Sequence, residues 1–131
     1  MSIFTENNED IILKLKEFLG DNPTVSFAFI FGSYVRGRHK KTSDLDMAIY
    51  FDTLPEGIDL LHLINTLSDL TGKEVDLVVL NTASAFLRHE VMRNGIPLII
   101  KDRDTYRRFR EKTISDYDEY KFVSGMNIYD R

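Results

Sequence analysis

Apolar residues run along the chain in two alternating rhythms, and the rhythm changes wherever glycine, proline or asparagine gathers. Residues 8–19 place Ile11, Ile12, Leu15, Phe18 and Leu19 at helical spacing, and Gly20 follows as a stop. Beyond Pro23, residues 25–31 form a short apolar and aromatic run that predicts a buried strand, ended by Gly32-Ser33. Residues 33–37 are read as the start of a short helix and 38–42 as an exposed basic loop. Residues 44–51 (DLDMAIYF) predict a second strand, closed by Pro55-Glu56-Gly57. Leu60, Leu61, Ile64, Leu67 and Leu70 recur at helical spacing over 58–70, with Gly72 beyond. Residues 75–80 (VDLVVL) predict a third strand, 83–93 a helix stopped by Asn94-Gly95, and 96–100 a short last strand. From 104 to 123 a charged segment carries Tyr106, Phe109, Thr113, Tyr117, Tyr120 and Val123 at helical intervals. The order of elements predicts an α/β or α+β fold: a small mixed sheet flanked by helices, with a C-terminal helix.

Length and composition narrow this. At 131 residues the chain fits one domain, spanning 1–131, with a core over about 10–100 and a C-terminal helical segment over about 104–123. No run of 18 apolar residues and no signal-peptide pattern is present, so neither a membrane span nor secretion is expected and the cytoplasm is the default. With no cysteine there is no disulfide, no Cys-ligated zinc and no thiol catalysis. His39, His62 and His89 lie too far apart for a local metal motif; His62 and His89 are read as surface or packing residues. A net charge of −4 does not suggest direct nucleic-acid binding. Its distribution is more telling. Arg36, Arg38, His39, Lys40 and Lys41 crowd the stretch directly before Asp44 and Asp46.

Three features carry candidate chemistry. Gly32-Ser33 stands where a buried strand ends. Glycine lets backbone N–H groups approach an anion, a following helix start would aim more of them at a phosphate, and Ser33 adds a hydroxyl. Asp44-Leu45-Asp46 places two carboxylates on one face of a strand, while Leu45, Met47 and Ile49 turn into the core. Such carboxylates repel unless a cation sits between them or one takes a proton, and Mg²⁺ prefers oxygen ligands completed by substrate phosphates. Asp76 opens the next apolar strand and completes a three-carboxylate cluster if that strand neighbours the second. Taken alone, Gly32-Ser33 reads first as an ordinary turn and Asp44-x-Asp46 as a solvated strand edge, and Asp76 reads equally as a strand end in water. Together, Gly32-Ser33, ten residues, then Asp44-x-Asp46 fix four positions. At ordinary residue frequencies, chance produces that on the order of once in a thousand chains of this length.

Gly32-Ser33-x₁₀-Asp44-x-Asp46 resembles the signature of the DNA polymerase β-type nucleotidyltransferase superfamily. The short length and the runs GSYVRG…SDLDMAIYF and EVDLVVL resemble its minimal nucleotidyltransferase (MNT) branch. The resemblance covers roughly residues 10–100. It implies a nucleotidyltransferase fold with the two aspartate-bearing strands side by side. It also implies a partner, because many MNT proteins act as antitoxin to a HEPN-domain ribonuclease toxin. The implied activity is Mg²⁺-dependent transfer of AMP from ATP onto a toxin tyrosine, with release of pyrophosphate. The residues matching the family's functional positions are Gly32 and Ser33 for phosphates, and Asp44, Asp46 and Asp76 for two Mg²⁺ ions and catalysis. Arg36 is the candidate direct contact to the triphosphate from the basic cluster, whose alternatives are a solvated loop or a contact to a partner's acidic face.

Two other functions stay open at this stage. One is an antitoxin that neutralises its partner by binding alone; the other is a nucleotidyltransferase acting on a small molecule or RNA. Intact carboxylates favour an enzyme over mere binding. Residues 101–112 contain six Lys/Arg and three Asp/Glu. The helix they begin either packs on its own sheet or docks the partner, since Tyr and Arg favour interfaces.

Overall fold

The structure, a computed structural model, describes residues 6–32 and 44–129, with side chains from 9 to 32 and from 44 to 124. The elements are α1 (Glu6–Asp21), β1 (Val25–Phe31), β2 (Leu45–Phe51), α2 (Gly57–Thr71), β3 (Val75–Val79), α3 (Ala85–Asn94), β4 (Ile96–Ile100) and α4 (Arg103–Tyr129). The helix start expected at 33–37 and the basic loop at 38–42 lie outside the described residues. Among those residues no helix is long and apolar enough to cross a membrane.

The four strands form one mixed sheet in the order β3-β2-β1-β4. β1 runs antiparallel to both neighbours, and β2 runs parallel to β3 across the α2 connection. The central strand is apolar without alternation because both of its faces are covered. Val25, Ala28 and Ile30 meet Leu15, Leu19 and Leu67 from α1 and α2 on one side. Phe27 and Phe29 meet Val91 and Phe109 from α3 and α4 on the other. The alternation expected in β2 also holds: Leu45, Met47, Ile49 and Phe51 join the α1/α2 core. Its opposite face is a second core, where Ala48 is fully buried and Tyr50 stacks on Phe27 at 4.9 Å between ring centroids. Pro97 falls on the margin strand β4, where a missing N–H costs no central ladder bond, and the β1–β4 register slips beside it, between Ala28 and Phe29.

Helix boundaries follow local chemistry. Gly72 closes α2 in the left-handed conformation (φ 68°), its N–H donating to Ser68 O. Ser84 caps α3 by accepting the Leu87 N–H at 3.2 Å. In α2 the inward stripe is Leu60, Leu63, Leu67 and Leu70. Leu61, expected inward, is 52% exposed because it lies about 100° around the helix from Leu60. α4 packs against the sheet through Phe109 and buried Thr113, while Tyr120, Phe122 and Val123 are exposed.

One guanidinium ties α3 to α4. Arg88 donates through Nε to Ala83 O at 3.1 Å, through Nη1 to Thr113 Oγ1 at 3.2 Å and through Nη2 to Asp116 Oδ2 at 2.9 Å. The hydrogen bond from Arg88, then that from Lys112, holds the Asp116 carboxyl below its usual 3.8, against a smaller opposing effect of desolvation. A carboxylate depressed in the fold contributes stability that is complete above its unfolded pKa and lost as pH falls through the folded value. Acidification from neutral pH to below about pH 3.8 is therefore expected to lower the melting temperature more in the wild type than in Asp116→Asn. Thermal melts of both proteins across that range check this, and parallel slopes would remove the clamp from the acid response.

Candidate functional site

The parallel pairing of β2 and β3 puts Asp46 in register with Asp76, and the antiparallel pairing on the other side puts Phe31 in register with Asp46. Strands that neighbour each other lie about 4.8 Å apart. A single row across three strands thus reads Asp76, Asp46, Phe31, with Gly32 next in the chain. Asp46 is half-buried, while Asp44 and Asp76 are exposed at the same end of the sheet.

Gly32 leaves β1 with φ 80°, in the left-handed region that side chains disfavour. A Cβ built there would overlap Asp46 Oδ2 and stand 3.0 Å from Asp46 Cγ. The glycine therefore serves two needs at once. It lets the chain turn out of a buried strand, and it leaves room for the Asp46 carboxylate to lie directly against the backbone.

Of the candidate residues in the sequence, Gly32, Asp46 and Asp76 are brought together and Asp44 stands immediately before β2 beside them. Ser33 and Arg36 lie outside the described residues. Glu74 is not among the candidates, although Glu74-x-Asp76 repeats the spacing of Asp44-x-Asp46 on the neighbouring strand. Its carbonyl accepts the Leu45 N–H at 2.8 Å, which fixes where the two strand mouths meet, and its side chain is exposed. Among the described residues no three His, Cys, Asp or Glu side chains converge closely enough to enclose a metal ion by themselves. Hard carboxylate oxygens suit Mg²⁺, which is usually held by one or two carboxylates plus substrate phosphates rather than by an all-protein cage. His89 is no part of this site: it stacks on Tyr117 with ring centroids 3.7 Å apart.

The sequence profile of the family described as "Polymerase beta, Nucleotidyltransferase" matches residues 13–104. The protein adenylyltransferase MntA of Shewanella oneidensis is 35% identical over 111 residues, 84% of this chain and 77% of that protein. The protein adenylyltransferase MntA of Thermococcus cleftensis is 33% identical over 91 residues, 70% of this chain and 92% of that protein. Among solved structures, a chain of a toxin–antitoxin crystal structure with AMP-PNP superposes with a TM-score of 0.78 at 31% identity, over 91% of this chain and 96% of that one. A chain from a complex of tri-AMPylated Shewanella oneidensis HEPN toxin with MNT antitoxin gives 0.69 at 27% identity, over 95% and 94% of the two chains.

Proposed function

Because the chain belongs to the polymerase β nucleotidyltransferase family, we propose that it is a cytoplasmic, Mg²⁺-dependent protein adenylyltransferase that moves AMP from ATP to a tyrosine of a HEPN toxin partner, and so acts as its antitoxin. The whole chain serves as one transferase domain. The observation that carries the reading is the row formed by Asp76, Asp46 and Phe31, with Gly32 set against the Asp46 carboxylate. Relatives named as protein adenylyltransferases, and structural neighbours from toxin–antitoxin complexes, support the choice of acceptor.

The chain's own groups do the following. The Gly32 backbone, with the Ser33 hydroxyl, receives the triphosphate where no side chain blocks its approach. Arg36 adds positive charge toward the same phosphates. Asp44, Asp46 and Asp76 are the residues that would hold Mg²⁺, two ions in this reading. Bound Mg²⁺ supplies the positive charge that offsets the phosphates and the departing pyrophosphate. The tyrosine Oη forms a bond to the α-phosphorus as the bond from that phosphorus to the bridging oxygen breaks, and pyrophosphate leaves with the electron pair. A phenol with a pKa near 10 keeps its proton at neutral pH, so it needs an acceptor, and Asp76, exposed as Asp44 also is, takes that role.

Incubating the partner protein with this chain, ATP and Mg²⁺ should add mass in whole AMP units by intact-mass spectrometry. The same reaction with the Asp44→Asn/Asp46→Asn variant should add none. A stable complex without added mass would replace transfer by neutralisation through binding.

A further inference from the structure

At the far end of the sheet from the aspartates, β2 and β3 run into a cleft of about 570 Å³ beneath the first half of α4. Asp46 and Phe51 are five residues apart along β2, so the cleft lies about 16 Å from the carboxylate row. Its volume falls in the usual range for small-molecule sites, about 300–1,000 Å³.

The walls are cationic and the floor is aromatic. Arg88, Arg108 and Lys112 line it above Tyr50 and Phe109, and Asp52 is the one carboxylate among its described lining residues. Arg88 is held by three hydrogen bonds, two of them to α4, with its side chain 13% exposed. Lys112 reaches Asp116 at 3.2 Å, so one carboxylate beside the cleft is shared between two cations. Arg108 meets the Thr105 hydroxyl at 3.3 Å and interacts through space with the Asp102 carboxylate, with no direct ion pair among the described residues. Of the three cations, Arg88 and Lys112 are in direct ion pairs with Asp116, whereas the guanidinium of Arg108 keeps unused donors directed by a planar fork that matches a phosphate. The start of α3, two residues beyond Ala83 in the cleft wall, adds its positive end.

Asp52 limits what fits. A carboxylate at the rim repels a second and third phosphate but accepts hydrogen bonds from sugar hydroxyls. We infer that this cleft is a second ligand site, for a small molecule that carries one phosphate and a hydroxylated sugar. The phosphate sits between Arg108 and Lys112, and the hydroxyls turn toward Asp52 and Thr82. The inference does not depend on the transfer reaction, because none of these residues belongs to the carboxylate row.

The test is a ¹⁵N–¹H titration of the whole chain in EDTA, which withholds the divalent metal the carboxylate row would use. The probes are ribose 5-phosphate, AMP, inorganic phosphate and adenosine. Ribose 5-phosphate and AMP should shift the amides of Asn81, Thr82 and Thr105. Removing both exposed cations (Arg108→Ala/Lys112→Ala) should weaken that binding by about tenfold for each charge-assisted hydrogen bond removed. Asp46→Asn should leave it unchanged. Shifts confined to Gly32, Asp44, Asp46 and Asp76 would overturn the second site, as would adenosine binding as tightly as AMP. Shifts near Thr82 that persist in the double variant would overturn the phosphate anchor.

Discussion

Asp46→Asn should cut nucleotidyl transfer by about a thousandfold or more, roughly 4 kcal/mol of transition-state stabilisation, while the protein still folds. Asparagine keeps the size and shape of aspartate, so the half-buried position between Phe31 and Asp76 can be filled without a cavity. What disappears is the negative charge that would hold Mg²⁺ in the row. A uniform loss of binding would raise KM alone, whereas removing a group needed at the reacting phosphate lowers kcat. Initial rates of AMP incorporation, beside far-UV circular dichroism of the variant, distinguish chemistry from collapse. A folded variant with transfer within tenfold of wild type would exclude Asp46 from the reaction.

The second large effect is expected at Gly32, and Gly72 supplies its control. Both residues have positive φ, 80° and 68°. An alanine at either position carries the conformational cost of the left-handed region, about 1–2 kcal/mol. At Gly72 a Cβ would meet nothing within 4 Å, so Gly72→Ala measures that cost alone. At Gly32 the new methyl would overlap Asp46 Oδ2, so the carboxylate has to turn away or the β1 end has to shift. Gly32→Ala should therefore lose transfer by about a hundredfold or more, since a displacement near 1 Å at a reacting centre is enough for that. Gly72→Ala should keep full activity with a lower melting temperature. Equal activity in the two variants would mean that the close approach of the Gly32 backbone to the Asp46 carboxylate is not needed for transfer.

Much of this architecture is legible before any coordinates, and the reasons are local. Residues 25–31 read as a buried strand because seven consecutive apolar or small residues leave no face for water. Asp46 and Asp76 stand out because acidic side chains interrupt apolar strands, and the parallel register then sets them side by side. The three-carboxylate metal cluster is a different matter. Spacing puts Asp44 and Asp46 on one face, but whether three oxygens converge depends on bound cation and phosphates, which no sequence pattern encodes. Leu61 misleads because i and i+1 leucines both satisfy a loose helical stripe, and only the packed partner decides between Leu60 and Leu61. The C-terminal helix runs to Tyr129, past the stripe that stops at Val123, because a helix can continue on backbone hydrogen bonds after it has left the sheet. The basic cleft is invisible for another reason: Asp52, Arg88 and Arg108 are scattered along the chain, and only folding gathers them.

The placement of β1 between β2 and β4 has a consequence for how the chain is made. Until residues 96–100 emerge from the ribosome, VSFAFIF has a partner on one side and an unpaired row of backbone donors and acceptors on the other. A run of seven residues rich in phenylalanine, without charge or proline, is the kind of margin that recruits copies of itself. Chains that stop before Ile96, through early termination or proteolysis, should therefore go to inclusion bodies rather than persist as shortened enzymes. Five residues near the end of the sheet, Ile96–Ile100, cover that margin, and Pro97 then makes the new outer strand a poor template for further addition.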